Sequence, residues 1–414
     1  MGTTGPAASA SGGAHQDRSD VRADATEAGL AQVLAGAHLV TARRMPSLVD
    51  AAARRLGVAD TRLYVADLQQ LRLVALPPPG SDAEGEELDV DASLAGLAYR
   101  THQIQQARDG TVAYIPMIDG VERVGVLRVT GPRLDPATLQ ACAALADLAA
   151  LLVVAKSLHS DLLVTRERAR PMSVQAELLW AFLPPRTIGT ASVTSSAVLE
   201  PAYEVGGDAF DHSLDDDALH LTLLDAMGHD LASGGASAIG LATCRATRRA
   251  GGSLPEIATA IDRTLDQWIP GRLMTAVIAN LDTRTGRLSW INCGHPPPLL
   301  VREGRVLPRI LERTPHLPLG LGFHTEQPPT LHHERLQPGD RVLVYSDGVT
   351  EARSPGGDLF GEERLADAVI RSATEGEASP EALRRLIQNL LAHQRTRLRD
   401  DATLLLAEWH PEAD

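Results

Sequence analysis

Three stretches in the second half of this chain put an aspartate at the end of, or just after, a run built to be a β-strand. They are Tyr203-Glu-Val-Gly-Gly-Asp208, His220-Leu-Thr-Leu-Leu-Asp225 and Arg341-Val-Leu-Val-Tyr-Ser-Asp347. A fourth acidic site, Asp400-Asp401-Ala-Thr-Leu-Leu-Leu, opens such a run. Taken singly, Asp347-Gly348 and Gly206-Gly207-Asp208 read as ordinary turns, and Asp400-Asp401 as a solvated loop. Together they require a fold that gathers strand ends. Carboxylates repel one another, and a divalent cation is the commonest reason to collect them.

The remaining composition narrows the setting. At 414 residues the chain exceeds one ordinary core, and two or three domains are expected. Acidic side chains outnumber basic ones, 53 to 39, for a net charge of -14, which argues against a nucleic-acid partner. Aromatics make up only 3%, so the cores must be packed from Leu, Val, Ile and Ala. The three cysteines are odd in number and widely spaced, which excludes a disulfide framework and gives no metal-ligand spacing. No apolar signal core and no unbroken 18-residue apolar run is present, so a cytoplasmic protein without a membrane partner is expected.

Along the chain, residues 1–25 are rich in Gly, Ala, Ser and charge and are expected to be disordered. Helical patterning follows to about residue 56. Leu63–Asp67 and Leu71–Leu76 alternate like a hairpin, and Pro77-Pro-Pro-Gly-Ser81 starts an acidic loop. A short helix is expected over 93–100 and a strand pair over 112–117 and 121–129. Asp135-Pro136 is a helix start, and that helix is expected to run to about Ala169. Within it Leu145, Leu148, Leu152, Ala155, His159 and Leu162 form a weak coiled-coil seam, which favours a homodimer. Another helix, Ser173 to Phe182, leads into the α+β remainder. There, strands are expected at 191–199, 218–225, 274–281, 287–292, 297–302, 341–346 and 402–408. Helices are expected near 232–250, 254–268, 362–373 and 380–394, the second with a Ser253/Glu256 capping box. The domains are drawn as 26–155, a helical linker 156–187, and 188–410.

Oxygen donors without His or Cys select Mg²⁺ or Mn²⁺ over Zn²⁺. Gly206 and Gly207 would let the backbone approach such ions. Two ions about 4 Å apart lower the pKa of a bridging water and neutralise a phosphoryl group, which is hydrolysis without a protein nucleophile.

Five motifs in order carry a family resemblance: Glu204-Val-Gly-Gly-Asp-Ala-Phe-Asp211, Leu224-Asp-Ala-Met-Gly-His229, Asn292-Cys-Gly-His-Pro-Pro-Pro298, Tyr345-Ser-Asp-Gly-Val-Thr-Glu-Ala352 and Asp400-Asp-Ala-Thr-Leu404. Over about residues 188 to 409 the chain resembles the metal-dependent (PPM) serine phosphatases of the bacterial sporulation stage II protein E and stress-regulator type. The resemblance implies an α-β-β-α sandwich with two Mn²⁺ or Mg²⁺ ions at one end. It implies that Asp208 and Asp225 hold the first pair of ligand positions, with Asp225 bridging or nearly so. The main-chain oxygen of Ala226 joins them, and Asp347 and Asp400 complete the sites, Asp400 being preferred over Asp401. It further implies a phosphoserine or phosphothreonine protein as substrate, typically a STAS-type anti-sigma-factor antagonist, and a regulatory switch at helices 232–250 and 254–268.

The chain departs from the family pattern at Asp230, where many members have Gly, and at Leu273-Met-Thr-Ala276, which lacks an aromatic before its Thr. Asp230 reads better as a helix cap than as a further ligand, and Asp211 as secondary. His295 reads better as a hydrogen-bonded turn residue than as a general acid. His229 suits outer hydrogen bonding better than ligation, and His332-His333 suit the surface. Asp91–Arg100, Tyr114–Gly120 and Val124–Val129 resemble a GAF domain, which implies either a small-molecule sensor of unknown ligand or a dimerisation module with an empty pocket. Two alternatives to the phosphatase stay open: a catalytically silent scaffold of the same fold, and a small-molecule phosphohydrolase.

Overall fold

The structure, a computed structural model, describes residues 13–77, 85–395, 398 and 400–411. It divides into two compact units: one reaches Asp119 and resumes over Arg123–Ala169, and the other comprises Gly120–Glu122 and Arg170 onward.

The first unit opens with α1 (Gly13–Ala37) and α2 (Met45–Arg55), followed by β1 (Asp60–Ala66), β2 (Arg72–Ala75) and β3 (Glu87–Asp89). Then come α3 (Leu94–Thr101), β4 (Gln105–Gln106), β5 (Val112–Asp119), β6 (Glu122–Thr130), α4 (Pro136–Ser157) and α5 (Asp161–Arg166). The strands form one sheet in the order β3-β2-β1-β6-β5-β4. Strand alternation explains its two faces. Leu63 and Val65 of β1 point toward α2 and α4, whereas Tyr64 and Ala66 point toward Ala95 and Tyr99 of α3.

Three expectations change here. Residues 13–25, expected to be disordered, are the opening turns of α1; beyond Gly13 the segment is Ala-rich, and Ala is the best helix former. Residues 1–12 of that expected tail, and 78–84 of the acidic loop, lie outside the described residues. The helix expected to reach Ala169 stops at Ser157, because Ser157-Leu-His-Ser160 breaks it and Ser160-Asp161 starts α5. The expected seam does not face one way: Leu145 and Leu152 are buried in the unit's own core, whereas Ala155 and His159 are exposed. Among the described residues α4 is also the one helix long and apolar enough to cross a membrane. The expectation of no span rested on unbroken runs, which Gln140, Asp147 and Lys156 interrupt.

The second unit begins with α6 (Val174–Trp180), β7 (Thr187–Gly189), β8 (Val193–Glu200), β9 (Asp208–Asp215), β10 (Ala218–Ala226), α7 (Leu231–Arg249) and α8 (Leu254–Trp268). It continues with β11 (Met274–Asp282), β12 (Arg287–Cys293), β13 (Leu299–Arg302), β14 (Arg305–Leu307), β15 (His332–Arg335) and β16 (Arg341–Tyr345). The chain closes through α9 (Asp347–Thr350), α10 (Gly361–Glu375), α11 (Ser379–Gln394) and β17 (Ala402–Trp409). Two sheets result, β15-β12-β11-β10-β9 and β14-β13-β16-β17-β8-β7.

Both sheets are covered on both faces, so their strands read as nearly continuous apolar runs. On β17, Leu405, Ala407 and Trp409 enter the core between the sheets, while Leu404 and Leu406 pack under α10 and α11. The core between the sheets continues into α7 and α8 through Ala236, Leu241, Ile257, Ile261 and Leu265. The layers are therefore helix, sheet, sheet, helix.

Sequence patterning missed β9, because Asp208-Ala-Phe-Asp-His-Ser mixes acids and His into a strand whose first five residues are all buried. Asp208 accordingly begins a strand rather than ending one.

Candidate metal centre

The antiparallel register of β9 and β10 sets Asp208 directly opposite Asp225. Opposed residues in such a ladder share a face, with Cβ atoms about 5 Å apart, and like charges there are unfavourable. Asp208 is 2% exposed. Its Oδ2 accepts from the Thr403 hydroxyl at 2.6 Å. Burial, then Asp225 and Asp401, push its carboxyl well above the ordinary range. Burial also raises Asp225, to about 7, with the charges of Asp347, Asp400 and Asp401 adding to the rise.

Asp347 starts α9 immediately after β16, and its side chain is exposed. Burial of part of the carboxyl and the charge of Asp400 raise its pKa. Asp400 and Asp401 sit just before β17 and behave differently. Asp401 is buried, and its carboxylate accepts from the backbone N–H of Gly206, Gly207 and Asp208 at 2.7 to 3.1 Å. Asp400 is exposed and spends one oxygen on the Asp401 N–H at 3.0 Å. Asp401 therefore holds the loop leading into β9, and Asp400 is the freer carboxylate.

Glycines make this closeness possible. A Cβ on Gly207 would lie 2.2 Å from the Ala226 carbonyl oxygen, and one on Gly348 would lie 2.0 Å from that of Asp401. The glycine at 207 thus serves the approach of the β10 end in the first place. The Gly207 carbonyl accepts from the Ala226 N–H at 3.2 Å and from the Ser237 hydroxyl of α7.

The surrounding polar residues hold the frame. His295 is buried with both ring nitrogens engaged, at 2.7 Å from the Thr275 hydroxyl and 3.1 Å from the Tyr345 carbonyl. Burial lowers its pKa to about 4, so it is a neutral turn residue. Asp230 caps α7 through the Ser233 N–H at 2.9 Å and binds Arg272 at 2.7 Å, while Arg272 also donates to the Met227 carbonyl at 3.0 Å. His229 is exposed. Asp211 pairs with Arg245 at 2.6 Å and Arg248 at 2.7 Å, tying α7 to β9. His333 is exposed and His332 half-exposed on the edge strand β15.

Sequence reasoning missed the supporting roles of Thr403, Ser346 and Asp262. The first two lie inside quoted motifs, where a hydroxyl beside an acid was the available signal. Ser346 donates to the Asp401 carbonyl and accepts from the Thr403 N–H. Asp262, fully buried in α8, accepts from the N–H groups of Gly320, Leu321, Gly322 and His324 at 2.7 to 3.1 Å, and nothing in an amphipathic helix announces that.

The donors fit a divalent cation. Asp208, Asp225, Asp347 and Asp400 raise one another's or their neighbours' pKa, and none has an Arg or Lys ion pair among those of the described residues. Hard oxygens that repel one another suit Mg²⁺ or Mn²⁺. Among the described residues no three such side chains close into a ready-made cluster, in keeping with that repulsion.

The second unit is thus a four-layer α-β-β-α domain with Asp208 and Asp225 paired at one end of one sheet and Asp347 and Asp400 beside strands of the other. Residues 215–410 match the family model of the stage II sporulation protein E (SpoIIE). It is 27% identical over 229 residues to protein IcfG of Synechocystis, covering 48% of this chain and 35% of that one. It is 24% identical over 219 residues to the phosphoserine phosphatase RsbU of Bacillus subtilis, covering 51% and 61%. The chain therefore spans less than two thirds of either relative. A solved structure of the RsbU and RsbW domains of a Mycobacterium tuberculosis protein is 26% identical, covers 55% of this chain and 63% of that one, and has a TM-score of 0.46.

Proposed function

We propose that this protein is a metal-dependent serine/threonine protein phosphatase. The observation that carries the reading is the pairing of Asp208 with Asp225 across β9 and β10, facing Asp347 and Asp400 without a basic partner. In this reading Asp208, Asp225, the Ala226 carbonyl, Asp347 and Asp400 hold two Mn²⁺ or Mg²⁺ ions. When bound, such ions supply Lewis acidity toward a phosphoryl oxygen and lower the pKa of water. Thr403 and Ser346 orient the Asp208 carboxylate, Asp401 fixes the loop that presents it, and His295 with Thr275 supports Asp225.

The substrate proposed is phosphoserine on a regulatory protein, of the STAS-type anti-sigma-factor antagonist class. The likeness to a protein named phosphoserine phosphatase, and to one solved with RsbU and RsbW domains, supports that choice. The first unit is proposed to be a GAF-like sensor of unknown ligand, consistent with a six-stranded sheet carrying helices on both faces. The net charge and buried free cysteines suit a cytoplasmic setting.

The test is hydrolysis of p-nitrophenyl phosphate, a phosphoserine peptide and a nucleotide by the full chain, with Mn²⁺ or with EDTA. Metal-dependent turnover that favours the peptide and disappears in Asp225→Asn and Asp347→Asn supports the proposal. Turnover that favours the nucleotide would replace it with a small-molecule phosphohydrolase. No turnover by folded, metal-loaded protein would make it a scaffold.

A further inference from the structure

The chain leaves β16 through α9 and then folds back on itself in a short hairpin over 352–360. Its closure is local. The Phe360 N–H donates to the Ala352 carbonyl at 2.7 Å, the Ser354 N–H to the Asp358 carbonyl at 2.8 Å, and the Gly357 N–H to the Ser354 carbonyl at 2.9 Å. Gly357 has a φ of 92°, a left-handed turn position that suits glycine. Ala352 and Phe360 are buried in the core with α10 and α11, and His393 of α11 donates to the Asp358 carbonyl at 3.0 Å. The hairpin is therefore fastened at its base and again along its length.

A cleft of about 190 Å³ runs from this hairpin to Asp400, and Gly348, Glu351, Arg353 and Leu398 help to line it. Asp400 is one of the acids of the candidate metal centre, so the cleft adjoins that centre. Among the described residues Arg353 is the one cationic side chain lining it. It is exposed, and its guanidinium donates to the Gly357 carbonyl at 3.2 Å. No acidic side chain of the described residues pairs with it, although Glu351 and Asp400 line the same cleft.

A guanidinium carries five N–H donors in a planar fork, so one bond to a carbonyl leaves the others for a carboxylate. That bond also holds the fork partly in place, and less side-chain freedom is lost on binding. The rest of the setting is acidic: Glu351 and Asp400 are in the wall, and the chain carries a net charge of -14. An acidic side chain is repelled along such a wall except at Arg353, so a single cation there sets both the identity and the register of what enters. A guanidinium serving the centre itself would be drawn onto Asp400. Arg353 lies back along the hairpin instead, toward a residue beside the reacting one.

We infer that this cleft takes the polypeptide flanking the phosphoserine, and that Arg353 selects an aspartate or glutamate beside that phosphoserine. The inference rests on the phosphatase reading and adds to it a residue that determines specificity.

The experiment uses the full chain with Mn²⁺ and phosphoserine peptides on an alanine background, carrying one Glu or one Gln at each flanking position in turn. Wild type is expected to favour Glu over Gln at one position by about tenfold in kcat/KM, chiefly through KM, the scale of one charge-assisted contact. Arg353→Gln should erase that preference, and Arg353→Glu should turn it toward a Lys peptide; melting checks that both variants fold. Equal use of Glu and Gln peptides by wild type overturns the inference, as does a preference that Arg353→Gln leaves intact. Loss of p-nitrophenyl phosphate turnover in step with that of the Glu peptide also overturns it, because the guanidinium would then serve the phosphoryl group itself. Fluorescence anisotropy of the same peptides, labelled, reads the preference without turnover. A Glu preference in binding that Arg353→Gln removes, in protein that hydrolyses nothing, would support the cleft assignment and sink the phosphatase reading alone. No preference in either readout overturns the cleft assignment whatever the activity.

Discussion

Asp208 and Asp211 lie three residues apart on β9, and both are almost excluded from solvent, at 2% and 1% exposure. Their surroundings are opposite. Alternation along the strand sends Asp208 inward, toward Thr403 of the facing sheet, and Asp211 outward, toward α7. Asp211 meets two arginines: burial works to raise its pKa, but the hydrogen bonds and charges of Arg245 and Arg248 outweigh that and hold it below the ordinary value. Asp208 meets Asp225 and Asp401 and is driven up. One strand thus carries a carboxylate neutralised by two arginines, which fastens a helix, and one held by a hydroxyl among other carboxylates, with no cationic side chain beside it. Burial alone does not mark a functional acid; the absence of compensating charge does.

The largest effect should come from neutralising the unsatisfied end. Asp225→Asn removes the carboxylate opposite Asp208. Loss of an ion worth several kcal/mol at a phosphoryl group is expected to lower Mn²⁺-dependent turnover about a thousandfold. Because the same substitution removes repulsion, the metal-free protein should melt at a higher temperature than wild type. A variant that loses turnover and melts lower without metal would contradict the contrast drawn between Asp208 and Asp211.

Asp211→Asn probes the satisfied end. It leaves Arg245 and Arg248, each about a fifth exposed, facing a neutral amide. Removing one partner of a buried pair costs about 3 kcal/mol. Chemical denaturation should register that loss, while the turnover of protein that remains folded stays within severalfold of wild type. If Asp211→Asn instead abolished turnover in folded protein, Asp211 would belong to the site.

The two ends should also answer pH in opposite ways. Asp225 titrates near 7 in the fold against an ordinary value of 3.8, so the folded state holds a proton that the unfolded chain has released. The Asp225 contribution to metal-free stability should therefore be complete at low pH and be lost as pH rises from about 4 through 7, by a few kcal/mol at most, against an opposing gain from buried histidines such as His295. The lowered pKa of Asp211 acts the other way: its contribution is complete above the ordinary carboxylate value and is lost only in stronger acid. Melting at pH 5.5 and pH 8 should show stability changing more favourably with rising pH in Asp225→Asn than in wild type. Added Mn²⁺ should stabilise the protein more at pH 8, where no proton competes. The same metal-free pH response in wild type and Asp225→Asn would remove Asp225 as a contributor.

Much of this was legible in the sequence, for identifiable reasons. Strands such as β10, β16 and β17 are largely apolar runs, and the Ser253/Glu256 capping box formed as read. Of the motif acids, Asp208 and Asp225 fell on neighbouring strands that the ladder sets opposite one another, while Asp347 and Asp400 lie near enough to raise the pKa of Asp225. What was hidden depended on tertiary partners. Strand β9 was obscured because Asp208, Asp211 and His212 are tolerated inside only through Thr403, two arginines and Ser195. The face of α4 was misjudged because both of its faces are apolar, so periodicity alone offered two seams, and only burial tells them apart. Asp401 looked like a duplicate of Asp400 until three backbone N–H groups were seen on it.

Asp262 gives the contrast its finest grain, since it is a buried carboxylate with neither arginine nor rival acid. Four backbone N–H groups of the 320–324 turn satisfy it: three on Oδ1, and that of His324 on Oδ2 at 3.0 Å. Asp262→Asn keeps Oδ1 but turns an amide N–H₂ toward the His324 N–H, so one bond is lost and two donors face each other. The expected cost is about 1 to 2 kcal/mol, the scale of one buried donor left unpaired. Hydrogen exchange should localise it to residues 317–324, with amides at 208 and 211 unaffected. Turnover should change less than in Asp225→Asn, because the Asp262 carboxylate bonds the 320–324 turn and not the paired acids. Were Asp262→Asn as damaging to metal-dependent turnover as Asp225→Asn, the clamp would have to be counted with the site, and neutral donors would not suffice to set a buried acid apart from it.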